Sequence, residues 1–160
     1  MRRKERAVTD VNDILRFIDE EEIIRLGLID ADGVYIVPVN YGYTFGEDRL
    51  VFYFHGASAG RKAEILKNGP VKISFELDGR HERFINEGCE STYYYMSVMG
   101  SATASEITDS VAKRAALDSI MSHVGRTDGL FKYGDKVVDA TMIVKLTVDS
   151  YTAKQNKARS

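Results

Sequence analysis

The spacing of apolar residues along the chain predicts two substantial helices and a series of strands. Helices are expected over about 10–22 and 109–125, where apolar residues recur every three or four positions behind a capping residue. Aromatic and β-branched runs predict strands over about 23–29, 34–43, 49–55, 71–77, 93–104 and 140–151. Because the helices are too few for repeating βαβ units, we predict a mainly β chain with flanking helices, folded as a six-stranded antiparallel barrel.

Turn signals between these elements predict one hairpin and two loops. The turn Asp30–Gly33 joins the first two strands into a hairpin. Pro38 removes a backbone donor from the second strand, so that strand is expected at an edge, at a bulge or against a ligand. The segment 78–91 is polar and is predicted to be a loop, and a second loop, rich in glycine and aspartate, precedes the last strand.

The stretch 51–68 is the most informative about function. Its strand ends in five small residues, 56–60, which let the backbone approach a ligand closely. Arg61 and Lys62 then open a helix that is expected to end near 68–69. Unpaired amides, the positive end of the helix dipole and two cations converge here, which predicts a phosphate site. The alternative interpretation is a helix start with ordinary surface cations.

Length and composition limit the class of protein. The chain has 160 residues and a mass of 18.0 kDa, which suits one domain over 1–160. A net charge of −2 and a pI near 5.9 argue against a nucleic-acid partner, so the basic segments at about 1–6 and 154–160 are predicted to be solvated tails. We expect no membrane partner and a cytoplasmic location, because the sequence shows neither a long apolar run nor a secretory signal.

The residues with reactive side chains are few. Cys89 is the single cysteine and is flanked by carboxylates, which argues against an activated nucleophile and excludes an intramolecular disulfide. The three histidines show no metal-ligand spacing, so no metal is expected and redox chemistry needs a borrowed cofactor. His55 closes a strand beside the predicted phosphate turn and is the candidate proton donor, or else a half-buried strand end. His81 and His123 are predicted to be solvated.

Several short motifs together carry a family resemblance. They are Arg25-Leu26-Gly27, the run from Tyr35 to Tyr43, Tyr53-Phe54-His55-Gly56-Ala57, Gly60-Arg61-Lys62 and the run from Tyr95 to Gly100. In this combination the chain resembles the FMN-binding split-barrel proteins of the pyridoxamine phosphate oxidase-like superfamily, and within them the nitroimidazole-resistance (Nim-like) group. The resemblance spans about 2–154.

The resemblance implies a homodimer with FMN at the subunit interface. It implies that Ser58, Gly60, Arg61 and Lys62 hold the flavin phosphate, that the strand 37–41 lies along the isoalloxazine ring, and that His55 is near the ring. Ser97 is expected to donate a hydrogen bond to the ligand. The remaining predicted cofactor contacts are Arg25, Val37, Pro38, Val39, Asn40, Tyr41, Tyr53 and Lys154.

Three functions are compatible with this interpretation. The first is an FMN-dependent reductase that takes electrons from NAD(P)H and passes them to a small aromatic or nitroaromatic acceptor, with His55 as the candidate catalytic residue. The second is a flavin-binding carrier or sensor without turnover. The third is a split barrel of the same shape that binds haem or a deazaflavin.

Overall fold

The computed structural model describes residues 3–67, 69–87, 90–125 and 131–157. The helices are α1 (Val11–Glu20), α2 (Arg61–Leu66), α3 (Ser110–Gly125) and α4 (Asp135–Ala140), with one 3-10 turn at Lys4–Arg6. The strands are β1 (Ala7–Val8), β2 (Ile23–Asp30), β3 (Gly33–Asn40), β4 (Gly42–Gly46), β5 (Arg49–Gly56), β6 (Val71–Phe84), β7 (Thr92–Glu106) and β8 (Met142–Asn156).

The strands form one antiparallel sheet that curls around a core. Their order is β3-β2-β6-β7-β8-β5-β4, and β1 pairs with β8. Within the described ranges no backbone ladder joins β3 to β4, so the barrel is split there. The predicted class is confirmed, but the predicted count of six strands is wrong because the described residues form a sheet of eight.

One extra strand arises because the predicted strand 34–43 divides at Tyr41. β3 pairs with β2, whereas β4 pairs with β5, so the chain crosses from one end of the sheet to the other between them. Tyr41 is fully buried at this crossing, with its hydroxyl 2.5 Å from the carbonyl oxygen of Ile18 and 2.8 Å from that of Glu21. β3 therefore ends just before this buried residue, and β4 begins just after it.

The β2–β3 hairpin confirms its sequence prediction. Asp30 pairs with Gly33 across the turn, and Gly33 has a φ of +104°, a conformation that favours glycine. β3 lies at one end of the sheet order, which confirms that Pro38 belongs to an edge strand.

The predicted loop over 78–91 is wrong in its first half, 78–84. β6 continues to Phe84 and pairs with β7 as far as Thr92, with a register shift between Gly79 and Glu82. Beyond Gly79 this hairpin extends past the core, so residues 80–84 are exposed and the apolar alternation that marks a strand is absent there. We call residues 80–84 with 92–94 the hairpin arm. Cys89 lies outside the described residues.

Two other sequence predictions need correction near the C-terminus. The loop predicted before the last strand contains α4, and β8 runs on to Asn156. Lys154 is therefore part of the sheet, opposite Ser97 and Ala7, and not part of a solvated tail. At the other end, the 3-10 turn at Lys4–Arg6 lies within the segment that was predicted to be a tail.

The core lies on the inner face of the sheet. α1 and α2 pack there against fully buried strand residues, among them Phe52, Phe54 and Leu77. A smaller cluster, in which Ile143 is fully buried, lies under α3 and α4. α3 approaches β4 closely at Gly42, where an added Cβ would lie 2.3 Å from the carbonyl carbon of Ser119. In the described ranges, no helix has the length and apolar content that crossing a bilayer requires.

Candidate functional site

The predicted phosphate turn follows β5 as expected. The residues at 57–60 are exposed, and Gly60 starts α2 with a φ of +99°. Among the predicted contacts, Ser58 and Gly60 therefore lie on an accessible turn. α2 ends at Leu66, earlier than predicted, and with only six residues it gives the turn little help from a helix dipole. Any positive charge that attracts an anionic ligand to this turn must therefore come mainly from the side chains of Arg61 and Lys62.

Arg61 is held by the β2–β3 hairpin. Its Nε donates to Oδ2 of Asp30 at 2.7 Å and its Nη2 donates to Oδ1 at 2.8 Å, a bidentate pair. The guanidinium carbon also lies 4.8 Å from the centre of the Tyr35 ring. The hydrogen bond from Arg61 lowers the pKa of Asp30 and, in return, raises the pKa of Arg61.

Lys62 points to a different neighbourhood. Its Nζ lies 5.2 Å from the centre of the Phe54 ring, and a Cβ added to Gly56 would lie 2.9 Å from that nitrogen. The side chain is half-buried, and the loss of water around it lowers the pKa of the ammonium. Among the residues that the structure describes, no carboxylate forms a salt bridge with Lys62.

The three histidines occupy different environments. His55 is exposed at the end of β5, next to the turn, and no described residue forms a hydrogen bond or salt bridge with its ring. His81 is exposed and pairs with Asp78 at 2.8 Å. The prediction that His123 is solvated is wrong, because it is only 8% exposed: its Nε2 donates to the carbonyl of Glu21 at 2.8 Å and its ring lies 4.5 Å from that of Tyr41.

A second set of predicted contacts lies on the outer face of the sheet. Cross-strand pairing puts Arg25 opposite Pro38, and Ser97 opposite both Asp78 and Lys154. Arg25 also pairs with Glu76 at 3.1 Å and with Asp78. Burial and the charge of Asp78 raise the pKa of Glu76.

Two further members of this outer set have defined partners. Asn40 donates through Nδ2 to the carbonyl of Glu22 at 3.0 Å. Lys154 lies with its Nζ 5.6 Å from the centre of the Tyr95 ring, and the hydrogen bond from Lys154 is the main cause that lowers the pKa of that phenol. The side chains of Arg25, Asn40 and Lys154 on this face therefore already have partners within the chain.

The remaining predicted contacts face inward. Val37 and Val39 pack against the main core, and Tyr41 is 0% exposed. Tyr53 packs against the smaller cluster under α3 and α4, with its hydroxyl 3.4 Å from Oγ1 of Thr44. The side chains of the strand 37–41 that remain accessible to a ligand are those of Pro38 and Asn40.

The predicted contacts form two groups: the turn set (Ser58, Gly60, Arg61 and Lys62) and the outer sheet set (Arg25, Pro38, Asn40, Ser97 and Lys154). Arg61 and Arg25 represent them near opposite ends of β2. Arg61 contacts Asp30 at one end of β2, and Arg25 lies five positions earlier, about 17 Å away at roughly 3.3 Å per residue. One copy of the chain therefore presents two separate halves of the predicted site.

Sequence reasoning missed how three residues shape the turn. Asp30 and Tyr35 hold Arg61, and Gly56 leaves the space that the end of Lys62 occupies. The signal available in the sequence was an acidic residue at the hairpin turn, and Gly56 was already recognised as the first residue of the small-residue run.

An exposed apolar patch lies on the outer face of the sheet, on β2 and β3. Ile29, Val34 and Ile36 are 71%, 70% and 65% exposed. Ile29 and Val34 are directly paired across β2 and β3, and Ile36 lies two residues further along β3 on the same face. We call these three residues the outer patch.

Comparisons with known proteins agree with this architecture. The chain is similar to a Bacteroides thetaiotaomicron protein whose name proposes 5-nitroimidazole antibiotic resistance: the identity is 31%, the match covers 93% of this chain and 86% of that one, and the TM-score is 0.76. Two structures at 20% identity share the fold. They are the flavocytochrome Anf3 from Azotobacter vinelandii (99% and 72% covered, TM-score 0.79) and an FAD and haem binding protein from Mycobacterium smegmatis (96% and 74% covered, TM-score 0.81).

The comparison with family models assigns most of the chain. No curated protein is similar enough to count as a match. The family model described as pyridoxamine 5'-phosphate oxidase matches residues 10–155. Over this range the chain belongs to the pyridoxamine 5'-phosphate oxidase family, whose model covers every strand except β1 and the last residue of β8.

Proposed function

We propose that this protein binds FMN between two copies of the chain and acts as a cytoplasmic reductase. In this proposal NAD(P)H supplies the electrons and a small aromatic or nitroaromatic compound accepts them. The observation that carries the proposal is Lys62, a half-buried ammonium without a salt-bridge partner among the described residues, next to an exposed turn of small residues. Family membership and the 31% identical relative support it.

The residues of the turn fit a phosphate ester. An unpaired, partly desolvated cation is costly unless an anion compensates it, and the exposed backbone at 57–60 offers amide donors beside it. Pro38 and Asn40 would lie along the ring system. FMN, when bound, supplies the electron-transfer chemistry, and the chain supplies position and electrostatics.

A homodimer would bring the two halves of the site together. Within one copy, Arg25 and the Asp30 that holds Arg61 are about 17 Å apart along β2. The outer patch exposes three large apolar side chains on the sheet face that bears Arg25 and Pro38, and such a patch is typical of a protein interface. A second copy packed on this face would cover the patch and place its own turn near the sheet.

Flavin titration tests the binding proposal directly. Purified protein stripped of bound ligand should quench the fluorescence of FMN with saturation at one flavin per chain. Protein isolated without added flavin should be yellow. A protein that is colourless and leaves FMN fluorescence unchanged at high micromolar concentration would refute flavin binding.

A carrier or sensor role is the alternative that one observation favours. His55, the candidate proton donor, has no described hydrogen-bond partner to orient its ring. Anaerobic mixing with NADH or NADPH, followed by a panel of nitroaromatic acceptors, separates the two roles. Bleaching of the flavin and repeated turnover support the reductase, whereas bound flavin that neither nicotinamide reduces supports the carrier or sensor.

A haem or deazaflavin cofactor is the third possibility. Two structures with this fold belong to proteins whose names include haem or cytochrome, although their 20% identity shows the fold alone. The absorption spectrum distinguishes the three cofactors, because haem gives an intense band near the violet end, FMN gives two broad bands, and a deazaflavin absorbs at shorter wavelength than FMN.

A further inference from the structure

A groove lies between the first half of α3 and the sheet. α3 covers β4, β5 and β8 on the face that turns away from the main core. At Ser119 the helix touches the strand backbone, where a Cβ added to Gly42 would lie 2.3 Å from the carbonyl carbon of Ser119. Nearer its start, α3 presents the short side chains of Ala112, Ala115 and Ala116, and a cavity of about 380 Å³ remains. We call this cavity the α3 groove, and its size is typical of small-molecule sites.

Three hydrogen-bond donors line the sheet side of the α3 groove. Lys145 of β8 pairs with Tyr53 of β5 on one side and with Ser105 of β7 on the other. Directly paired residues share a face and lie about 5 Å apart, so the ammonium and the two hydroxyls form a row across three strands. Within the described part of the chain, no residue forms a salt bridge with Lys145. The row can therefore donate to one anionic group.

The charges around the α3 groove match a single negative charge on a ligand. Among its described lining residues, Lys145 is the only cation, and Glu106 and Asp109 are the only acids. Asp109 accepts the amide hydrogen of Ala112 at 2.8 Å, so its carboxylate is engaged at the start of α3. Glu106 follows Ser105 on β7, and successive strand residues point to opposite faces. A carboxylate would neutralise Lys145, whereas a phosphate dianion would bring excess negative charge near Asp109.

We infer that the α3 groove binds a small monocarboxylic acid with an apolar body. The carboxylate accepts hydrogen bonds from Lys145, Tyr53 and Ser105, and the apolar body packs against the alanine side chains of α3. None of the groove's lining residues belongs to the turn set or the outer sheet set. The inference is therefore independent of flavin binding, and it goes beyond the proposed function.

Calorimetric titration with three phenyl compounds tests the charge preference. Benzamide, benzoate and phenyl phosphate carry no, one and two negative charges at about pH 8, because the second pKa of a phosphate ester is about 6. With the full-length protein, benzoate should bind with a dissociation constant of about 1 mM, as expected for a ligand of this size. The other two probes should bind at least about tenfold more weakly. Benzoate binding that does not saturate, or equal affinity for benzamide, overturns the inference.

Substitutions on the two sides of the groove test its position. Lys145→Met should lower benzoate affinity by about 10- to 100-fold and change benzamide affinity by less than about threefold. Ala115→Leu should weaken binding of both probes, because Ala115 is an exposed lining residue and a larger side chain fills the cavity. Lys136→Met is the control, since Lys136 is an exposed lysine on α4 outside the groove, and this variant should bind like the wild type. Urea unfolding verifies that each variant is folded. A folded Lys145→Met variant with wild-type benzoate affinity overturns the inference.

NMR of the wild-type protein locates the probe without any substitution. Benzoate should shift the amide signals of Ala112 and Ser105 and leave that of Lys136 in place, and shifts confined to other regions overturn the inference. Saturating FMN should change benzoate affinity by less than about threefold. Competition between FMN and benzoate would place the acid in the flavin site and would also overturn the inference. A protein that binds benzoate but not FMN refutes the proposed function and leaves the α3 groove assigned.

Discussion

Ile36→Asp is expected to dissociate the proposed dimer. Ile36 is 65% exposed and lies in the outer patch with Ile29 and Val34, which are 71% and 70% exposed. If a second copy covers this face, each copy would lose one apolar contact and gain a carboxylate that must leave water. The variant should therefore be monomeric at concentrations where the wild type is dimeric.

The size of this effect follows from the exposed fraction. Full burial of an isoleucine side chain contributes about 1.5–3 kcal/mol, so the 65% of Ile36 that remains exposed corresponds to about 1–2 kcal/mol per copy. A twofold interface contains the substitution twice, which gives about 2–4 kcal/mol before the cost of desolvating the carboxylates. At about 1.4 kcal/mol per tenfold change, the dissociation constant should rise by about 30- to 700-fold.

Sedimentation equilibrium over a concentration series measures this change. Val111→Asp is the matched control, because Val111 is 76% exposed but lies on α3, away from the outer patch, and its variant should associate like the wild type. Unfolding by urea should show that both variants remain folded. A dimer that survives Ile36→Asp with an unchanged dissociation constant would refute the assignment of this face to the interface.

Three further changes test local features. Gly42→Ala should lower the free energy of unfolding by about 3 kcal/mol, because the added Cβ would lie 2.3 Å from the backbone of α3. Gly46→Ala on the same strand, where nothing lies within 4 Å of the added Cβ, should change the free energy of unfolding by no more than about 0.5 kcal/mol. Urea denaturation measures both values. Lys62→Met should raise the free energy of unfolding of the flavin-free protein at pH 7, because burial lowers the folded-state pKa and penalises the ammonium at every pH below it; a less stable variant would contradict this. Arg61 lowers the pKa of Asp30, so the pair stabilises the fold above the unfolded carboxyl pKa near 3.8 and loses this contribution as the pH falls through the folded value. Asp30→Asn should reduce that acid sensitivity in pH-dependent thermal melts, and an identical acid profile would count against the pair.

Elements encoded by neighbouring residues were predictable from the sequence. The β2–β3 hairpin has a turn of four residues between two apolar runs, and the strand, turn and helix around 49–66 follow each other directly. Pro38 indicated an edge because it lacks a backbone donor, whichever strand it pairs with. These features depend on the conformational preferences of neighbouring residues, so they can be predicted from the sequence alone.

Features that depend on distant contacts could not be predicted. The break between β3 and β4 lies at Tyr41, which is fully buried and whose carbonyl partners Ile18 and Glu21 lie 23 and 20 positions earlier. His123 is buried by a bond to a carbonyl 102 positions away. The spacing of apolar residues contains no information about either contact, because Tyr41 and His123 are not clearly apolar residues and their burial cannot be judged from their own segments.

The candidate site shows the same division. The small-residue turn and its two cations were evident from their order in the chain. That Arg61 pairs with Asp30, 31 positions earlier, could not be read from spacing, since several acidic residues were equally available. The different neighbours of the two cations, Asp30 for Arg61 and Phe54 for Lys62, are therefore visible only in the structure.

The hairpin arm has a consequence for how this protein can change over time. Its strands keep their backbone ladder beyond the core, while Glu82 and Arg83 are exposed. Replacing such side chains usually alters the folding free energy by no more than about 0.5 kcal/mol. A mutational library confined to these two positions should thus yield mostly folded members, and natural selection has the same freedom to vary their chemistry without endangering the scaffold.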